Sequence, residues 1–350
     1  MMVKYANFSL VRGIKQVRVI TATAPGRCGI VGNPTDMYGG NVLSCTVQER
    51  AECRLESVAS GQITLYNEDE EAVVRSSDEF FLRGDKLDIV RAALQFFQVD
   101  PAISPFTINL KTDIPMRAGM AGSTAMLAAI VGAIDAYFDL NMNPYAIAET
   151  MRKIEARIMG VVCGFQDQHM AVFGGLNYMT FPGKQELEQR DDEPLATIEP
   201  LASLISELPL ILAHTGVQHH SGTVHKSPRE RWLSGDELVR SSYVRIAELG
   251  QRGKRAIVEK NWQLLGELMN ENHAIVAKLG GSGPDNDRLI EAARAAGAEG
   301  AKLAGAGGGG TIIALALDTD VVSKALLGAG ADRLMTPSPS PGLQVSEVQV

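Results

Sequence analysis

The chain has 350 residues, with 33 Lys and Arg against 41 Asp and Glu, and so a formal net charge of −8. A hydrophobic fraction of 45% with 21% charged residues is enough to bury a core and excludes a chain disordered along its length; the length points to roughly two domains. The acidic balance argues against a nucleic-acid partner, which needs a basic face to displace counterions from phosphates.

From the N-terminus, residues 1–17 lack a long apolar stretch behind their basic residues, so no secretory signal is expected. The longest apolar run, 125–134, stops at Asp135 and is too short for the roughly 20 residues that span a bilayer. A soluble cytoplasmic protein without a membrane partner is expected. Residues 17–25, 41–48, 51–59 and 63–69 cluster or alternate β-branched and apolar residues and read as strands. Spacing turns helical over 79–98, and a strand over 105–114 leads to Pro115. After a glycine-containing turn, residues 125–140 are apolar on nearly every face, as in a fully buried helix. A further helix over 144–160 carries Pro144 in its first turn and Gly160 at its end.

The acidic stretch 184–196 marks a domain boundary, dividing the chain at 1–185 and 186–350. The second half begins with a strand at 208–216 and a loop at 214–232 rich in His, Ser and Gly. Helices follow around 237–259 and 261–280, then a helical segment from 286, a glycine run, and an apolar strand at 311–317. The alternating tail after the Pro/Ser spacer at 337–341 reads as a strand that can pair back onto a sheet. Cys28, Cys45, Cys53 and Cys163 contain no CxxC pair, which fits reduced thiols rather than a disulfide scaffold or a zinc site.

Glycine numbers 35, above an average usage of about 7%, and the excess gathers in three clusters at 24–40, 114–127 and 302–315. In the second, Pro115 ends a strand, and Gly119 and Gly122 permit close approach. Ser123 and Thr124 open the buried helix. A helix N-terminus presents unpaired N–H groups and a positive dipole end, which suit phosphate; an ordinary Ser/Thr cap would read the same. The third cluster satisfies GxGxxG at Gly305, Gly307 and Gly310, but a dinucleotide fingerprint must follow a strand and open a helix, whereas here a helical segment precedes and a strand follows. No GxxxxGK[ST] occurs. A glycine loop that approaches a phosphate or a neighbouring loop remains, as does simple tight packing.

Taken together, the three clusters resemble in order and spacing the GHMP small-molecule kinases, named for galactokinase, homoserine kinase, mevalonate kinase and phosphomevalonate kinase. PGRCGIVGNPTDMYGG resembles their first motif, PMRAGMAGSTA their phosphate-binding loop and KLAGAGGGG their third motif. GFQDQHMAVFGGLNYMTF is most similar to sugar kinases of the glucuronokinase and heptose-phosphate kinase type, and SGTVHKSPRERW leans towards glucuronokinase. The resemblance implies an α+β fold of two domains: an N-terminal half like ribosomal protein S5 domain 2 and a ferredoxin-like C-terminal half.

It also implies ATP and Mg²⁺ as cofactors and a sugar hydroxyl, at the anomeric carbon of a uronic acid such as glucuronate, as acceptor. Asp167 would take the hydroxyl proton and Arg27 would support it. Pro115, Gly119, Met120, Ala121, Gly122, Ser123 and Thr124 would cradle the nucleotide phosphates. Ser123 and Glu155 would hold Mg²⁺, with Glu149 the competing carboxylate. Asp36 and the Gly305, Gly307 and Gly308 loop would contact the acceptor. Arg229 and Arg231, in the basic stretch 214–232, could receive its carboxylate or phosphate; a charged helix start would look alike. Asn33 and Pro34 stand where galactokinases carry Glu-His, which argues against galactose. The phosphate loop departs from the usual Gly-Leu-Gly-Ser-Ser-Ser-Ala wording, but Ser123 and Thr124 keep two hydroxyls. Heptose-7-phosphate, galactose-type or mevalonate kinases are the alternatives within the family, and a non-catalytic sugar-binding regulator the alternative outside it. A monomer or homodimer is expected.

Overall fold

The computed structural model describes residues 17–59, 61–115, 118–184, 192–205, 207–216, 227–305 and 310–349. The first half lays down β1 (Arg18–Val31), β2 (Asn41–Ser57), β3 (Ile63–Asn67) and β4 (Glu70–Val74). There follow α1 (Asp88–Phe96), β5 (Phe106–Thr112), α2 (Gly122–Tyr137), α3 (Pro144–Lys153), α4 (Gln166–Phe173) and β6 (Leu176–Thr180). Beyond these come β7 (Thr197–Pro200), β8 (Leu210–His214), α5 (Pro228–Leu233), α6 (Glu237–Val258), α7 (Trp262–Lys278) and α8 (Pro284–Ala295). The chain ends through β9 (Gly300–Leu303), β10 (Thr311–Leu315), α9 (Thr319–Gly328), β11 (Arg333–Met335) and β12 (Gln344–Gln349).

Several expected elements change extent for local reasons. The strands expected at 41–48 and 51–59 are one strand, β2, long enough to pair with β1 along one edge and with β5 and β6 in turn along the other. The helix expected over 79–98 begins only at Asp88, because Gly84 takes a left-handed φ of 82° and the Asp88 carboxylate accepts from the Arg83 and Gly84 amides. The helix after Pro144 is capped by Asn143, which accepts from the Ala146 amide, and passes at Ile154–Ile158 into a π-helical turn. Strand β9, not a helix, leads directly into the third glycine cluster. The short helix α5, opened by a Ser227/Glu230 capping box, lies where a loop was expected.

Among the described residues, two sheets organise the fold. The first runs β12-β1-β2-β5-β3-β4, with β6 on β2 and β7 on β6; its pairs are antiparallel except β3 with β5. The second is antiparallel in the order β11-β8-β10-β9, the ferredoxin-like arrangement. The expected division at 185/186 is not a clean cut, since β7 and β12 lie beyond it and complete the first sheet. Helix α2 is buried from Thr124 to Ile134, which is why its sequence carries no polar face.

The apolar strands of the second sheet serve two cores. Leu210, Leu212, Ile313 and Leu315 join the main core, while Ile211, Ala213, Ile312 and Ala314 pack under α8 and α9. Among the described residues, none of the four cysteines is joined in a disulfide. Among the described residues, no helix is long and apolar enough to cross a membrane.

Helix α7 and strand β9 meet backbone to backbone at Gly266 and Gly300, and a Cβ on Gly266 would collide with the Glu299 main chain. Gly266→Ala should therefore cost about 1–3 kcal/mol through forced separation of the two elements. Gly328→Ala meets nothing within 4 Å in the last turn of α9 and should stabilise by roughly 0.5 kcal/mol. Thermal melts of both variants test the contrast, and equal shifts would contradict it.

Candidate active site

The three glycine clusters converge on Arg27. This residue lies in the part of β1 where pairing with β2 is irregular, between Pro25 and Arg27. Its main-chain N–H donates to the Met120 carbonyl at 3.0 Å, and its Nη1 donates to the Gly119 carbonyl at 2.6 Å. The rest of the guanidinium forms a two-pronged pair with Asp167, Nε to Oδ1 at 2.7 Å and Nη2 to Oδ2 at 2.9 Å. Burial acts to lower the Arg27 guanidinium, but the charge and hydrogen bonds of Asp167, with Asp36 behind it, raise it above its ordinary value. The Arg27 side chain is 6% exposed and that of Asp167 30%, so the carboxylate is the member of the pair that opens to solvent.

Asp167 is the second residue of α4, and the start of that helix is fixed from a distance. The Phe165 and Gln166 amides both donate to Asp36 Oδ2, at 2.9 and 3.0 Å, so a carboxylate from the first glycine cluster caps a helix some 130 residues away in sequence. Gly164 must lack a side chain there, because a Cβ would strike the Asp36 carboxylate. Burial, and then the Asp167 charge, push Asp36 up against the pull of the two amides. Gln166 accepts from Ser44 Oγ at 3.0 Å and donates to Asp167 Oδ1 at 3.2 Å, locking the aspartate to β2.

The N-terminus of α2 lies beside this pair. Gly119, at φ 75°, and Ala121, at φ 59°, fold the loop into the helix with left-handed backbone. Ser123 is exposed, whereas Thr124 is buried and donates its hydroxyl to Glu155 Oε1 at 2.7 Å. Of the two hydroxyls expected to face phosphate, only that of Ser123 is therefore presented outward. Glu155 sits in the π-helical turn, and Gln168 Nε2 donates to its other oxygen. Burial raises the Glu155 carboxyl to about 7 despite these two donors, with Asp167 adding to the rise. The rival carboxylate, Glu149, is bound to the fully buried Lys184, with Nζ to Oε1 at 2.9 Å, and belongs to an ion cluster with Glu193.

No three His, Cys, Asp or Glu side chains gather as a metal cage among the described residues. One carboxylate and one outward hydroxyl, that of Ser123, are instead the sparse oxygen set suited to a magnesium ion held largely by phosphates and water. A buried carboxylate held by neutral donors also has charge to offer a cation, so the residues fit the group.

The third cluster packs on the other two. The Gly29 amide donates to the Ala304 carbonyl at 2.8 Å, and Asn33 Nδ2 donates to the Gly305 carbonyl at 2.5 Å. A Cβ on Gly305 would lie 2.8 Å from the Gly119 carbonyl oxygen, so close approach of two loops requires glycine here. Gly307 and Gly308 lie outside the described residues, as do Lys226 and three of the histidines of the basic stretch.

Arg229 and Arg231 are carried by α5. Arg231 Nε donates to Asp236 Oδ2 at 2.9 Å, which ties it to the start of α6. Helix α5 rests on the first cluster through Trp232, whose ring lies 4.5 Å from that of Tyr38, two residues from Asp36. His214 is buried in β8, its Nδ1 2.9 Å from the Gly310 carbonyl oxygen. Sequence reasoning singled out neither Gln166 and Gln168, on either side of Asp167, nor Lys302, and it noted Asn33 only as a departure from galactokinases. A lysine inside the apolar strand Gly300–Leu303 was the one local signal, since a fully buried lysine needs specific partners.

Residues 88–175 match the GHMP kinases N terminal domain and residues 254–331 the GHMP kinases C terminal domain. A mevalonate kinase of Pyrococcus abyssi is 28% identical over 95% of this chain and 99% of its own length. Glucuronokinase 1 of Arabidopsis thaliana is 28% identical over 81% of each. Among solved structures, Lactococcus lactis galactokinase, complexed with galactose, superposes with a TM-score of 0.76 at 20% identity, covering 93% of this chain and 95% of that one. With both domains of the family in order along the chain, the two-domain fold and the clustered motifs have one explanation: this protein belongs to the GHMP kinase family.

Proposed function

We propose that this kinase transfers the γ-phosphoryl group of ATP, with Mg²⁺, to the anomeric hydroxyl of a uronic acid such as glucuronate. The observation that carries the reading is the Arg27–Asp167 pair, set where three glycine clusters meet beside the N-terminus of α2. Phosphoryl transfer needs positioned groups and charge stabilisation more than covalent chemistry, and those are what this site offers. In the reading, Asp167 accepts the proton of the attacking hydroxyl. Arg27 holds the carboxylate in orientation and places positive charge beside the transferring group. The loop from Gly119 to Ser123 and the first N–H groups of α2 receive the phosphates. Ser123 and Glu155 hold Mg²⁺, with Thr124 and Gln168 orienting Glu155; the ion would neutralise phosphate charge. Asp36 acts mainly through α4, whose start it fixes, and Gly305 closes the loop on the acceptor side.

Support for a uronic acid comes from the likeness to glucuronokinase and from the basic helix α5 docked on the first cluster. Mevalonate is the second reading, because mevalonate kinases align over nearly the whole chain. Both acceptors are carboxylates, so a basic acceptor pocket suits either. Turnover of glucuronate, galacturonate, galactose, fucose, heptose 7-phosphate and mevalonate, followed as ADP release, decides between them.

On the acceptor that reacts, Asp167→Asn should lower kcat by about 10²–10⁴-fold, the range for a lost general base, with KM for ATP little changed. A variant as active as the wild type would remove Asp167 from the chemistry. Glu155 yields a separate expectation. Its carboxyl titrates near 7 when folded against 4.5 ordinarily, so the folded state binds the extra proton between those values. The stability this supplies is complete below 4.5 and lost as pH rises through about 7. Metal-free wild type should therefore melt at progressively lower temperature from pH 5 to 8. Glu155→Gln should flatten that trend and abolish any rise in melting temperature on adding Mg²⁺ with a nonhydrolysable ATP analogue. A steep trend retained in the variant would point to other groups.

A further inference from the structure

We propose that Lys302 is a positioning residue for the kinase reaction: its ammonium group, buried between the first and third glycine clusters, holds the Gly29–Asn33 segment in its working conformation, and loss of its proton loosens that hold. The side chain is 1% exposed. Its Nζ donates to the Gly29 carbonyl at 3.2 Å, to Asn33 Oδ1 at 2.9 Å and to its neighbour's carbonyl, that of Leu303, at 2.5 Å. Three oxygens match the three N–H donors of an ammonium. A neutral amine has two donors and a lone pair, so one of the oxygens would lose its partner and face a lone pair instead. Two of the three acceptors belong to the first cluster, while the lysine belongs to the strand that enters the third.

The position of these acceptors connects the amine to the reacting groups. Gly29 is two residues from Arg27, and its amide makes the 2.8 Å bond to Ala304. Asn33, held by Lys302 through Oδ1, uses Nδ2 to hold the Gly305 carbonyl. Gly305 in turn packs on Gly119, the loop residue whose carbonyl receives Arg27. Asn272 on α7 braces the same segment, its Oδ1 accepting from the Gly32 amide and its Nδ2 donating to the Asn33 carbonyl. One buried cation thus fixes the meeting of all three clusters.

The surroundings make the proton labile near neutral pH. Strand β1 contributes the Arg27 guanidinium, which repels the ammonium, and the Cys28 thiol, which burial pushes up to about 12 and so keeps neutral. Helix α7 contributes His273, lowered to about 4 by burial, by Arg294 and by Lys302 itself; Asp287 of α8 lies 3.7 Å from that ring. Helix α8 also brings Arg294, which donates to the Ala301 carbonyl. Strand β10 presents no titratable side chain. Burial first, and then Arg27, push the Lys302 ammonium down to about 7, and Cys28 acts in the opposite direction.

The proposal rests on the kinase reading for its effect on turnover, so its test also reads the latch directly. The full protein carrying lysine labelled with ¹³C at Cε is titrated by NMR from pH 6 to 10, with the Lys302 resonance identified by its loss in Lys302→Met. The exchange protection of the Gly29 amide and kcat/KM for the reactive acceptor are followed over the same range. The Cε resonance is expected to shift, and protection and kcat/KM to fall, with one shared midpoint. Lys302→Met should lose the fall at the lysine midpoint, keeping only the dependence that Glu155 imposes near pH 7, and should show a kcat/KM reduced on the order of 10- to 100-fold at the lower end of the range. Asn33→Asp, which puts a carboxylate beside Nζ, should move the Cε and protection midpoints together to higher pH, and keeps the test open if Lys302→Met does not fold. A lysine that stays protonated throughout, a protection midpoint that differs from its own, or a Lys302→Met profile parallel to the wild type would overturn the proposal. Absence of turnover on every acceptor would sink the kinase reading while leaving the NMR and exchange results to judge the latch.

Discussion

Arg27 carries the constraint on which the rest of the site depends. Its main-chain amide and its guanidinium both reach the glycine loop before α2, and the remaining two nitrogens clasp Asp167. One side chain therefore sets the distance between a strand, a loop and a helix that are far apart in sequence. Taking a guanidinium out of water is expensive, and in a buried pair that cost can exceed the Coulombic gain. The guanidinium meets it with three hydrogen bonds to oxygen, and Asp167 keeps part of its surface in water. An apolar pair could fill the same space, but it could not present an oriented carboxylate beside a fixed positive charge.

The glycines follow from the same requirement. Where main chain must touch main chain, a Cβ has nowhere to go, as at Gly305 against Gly119 and at Gly266 against Glu299. The glycine excess is thus a record of backbone contacts rather than of flexibility. It brings the carbonyls of one cluster within reach of donors from another.

Carboxylates in this molecule take different tasks from their surroundings. Asp36 is buried and spends one oxygen on two helix amides. Glu149 is neutralised by Lys184 beneath the ring of Phe165. Glu155 is buried with only neutral donors on its oxygens, and Asp167 faces Arg27 with its other side open. Residue type alone is the same in each case. Partner and burial separate a helix anchor, a structural ion pair, a buried carboxylate on neutral donors and a carboxylate that opens to solvent.

Much of the fold is legible in the sequence. The alternation of β1 and β2, the all-round apolarity of α2, the proline at the start of α3 and the glycine clusters each follow from local rules that need no tertiary partner. Arg27 and Asp167 are legible as well, through motif likeness. The tail strand is legible too, and only its partner, β1, is left to the fold; tertiary structure alone decided that Thr124 turns inward to Glu155, that Asp36 caps α4, and that Lys302 bridges two clusters. The physical reason is the range of the interactions. Backbone propensity and periodicity act within a turn or a strand, whereas hydrogen bonds between Asp36 and Phe165 or between Lys302 and Gly29 join residues that only the folded chain brings together.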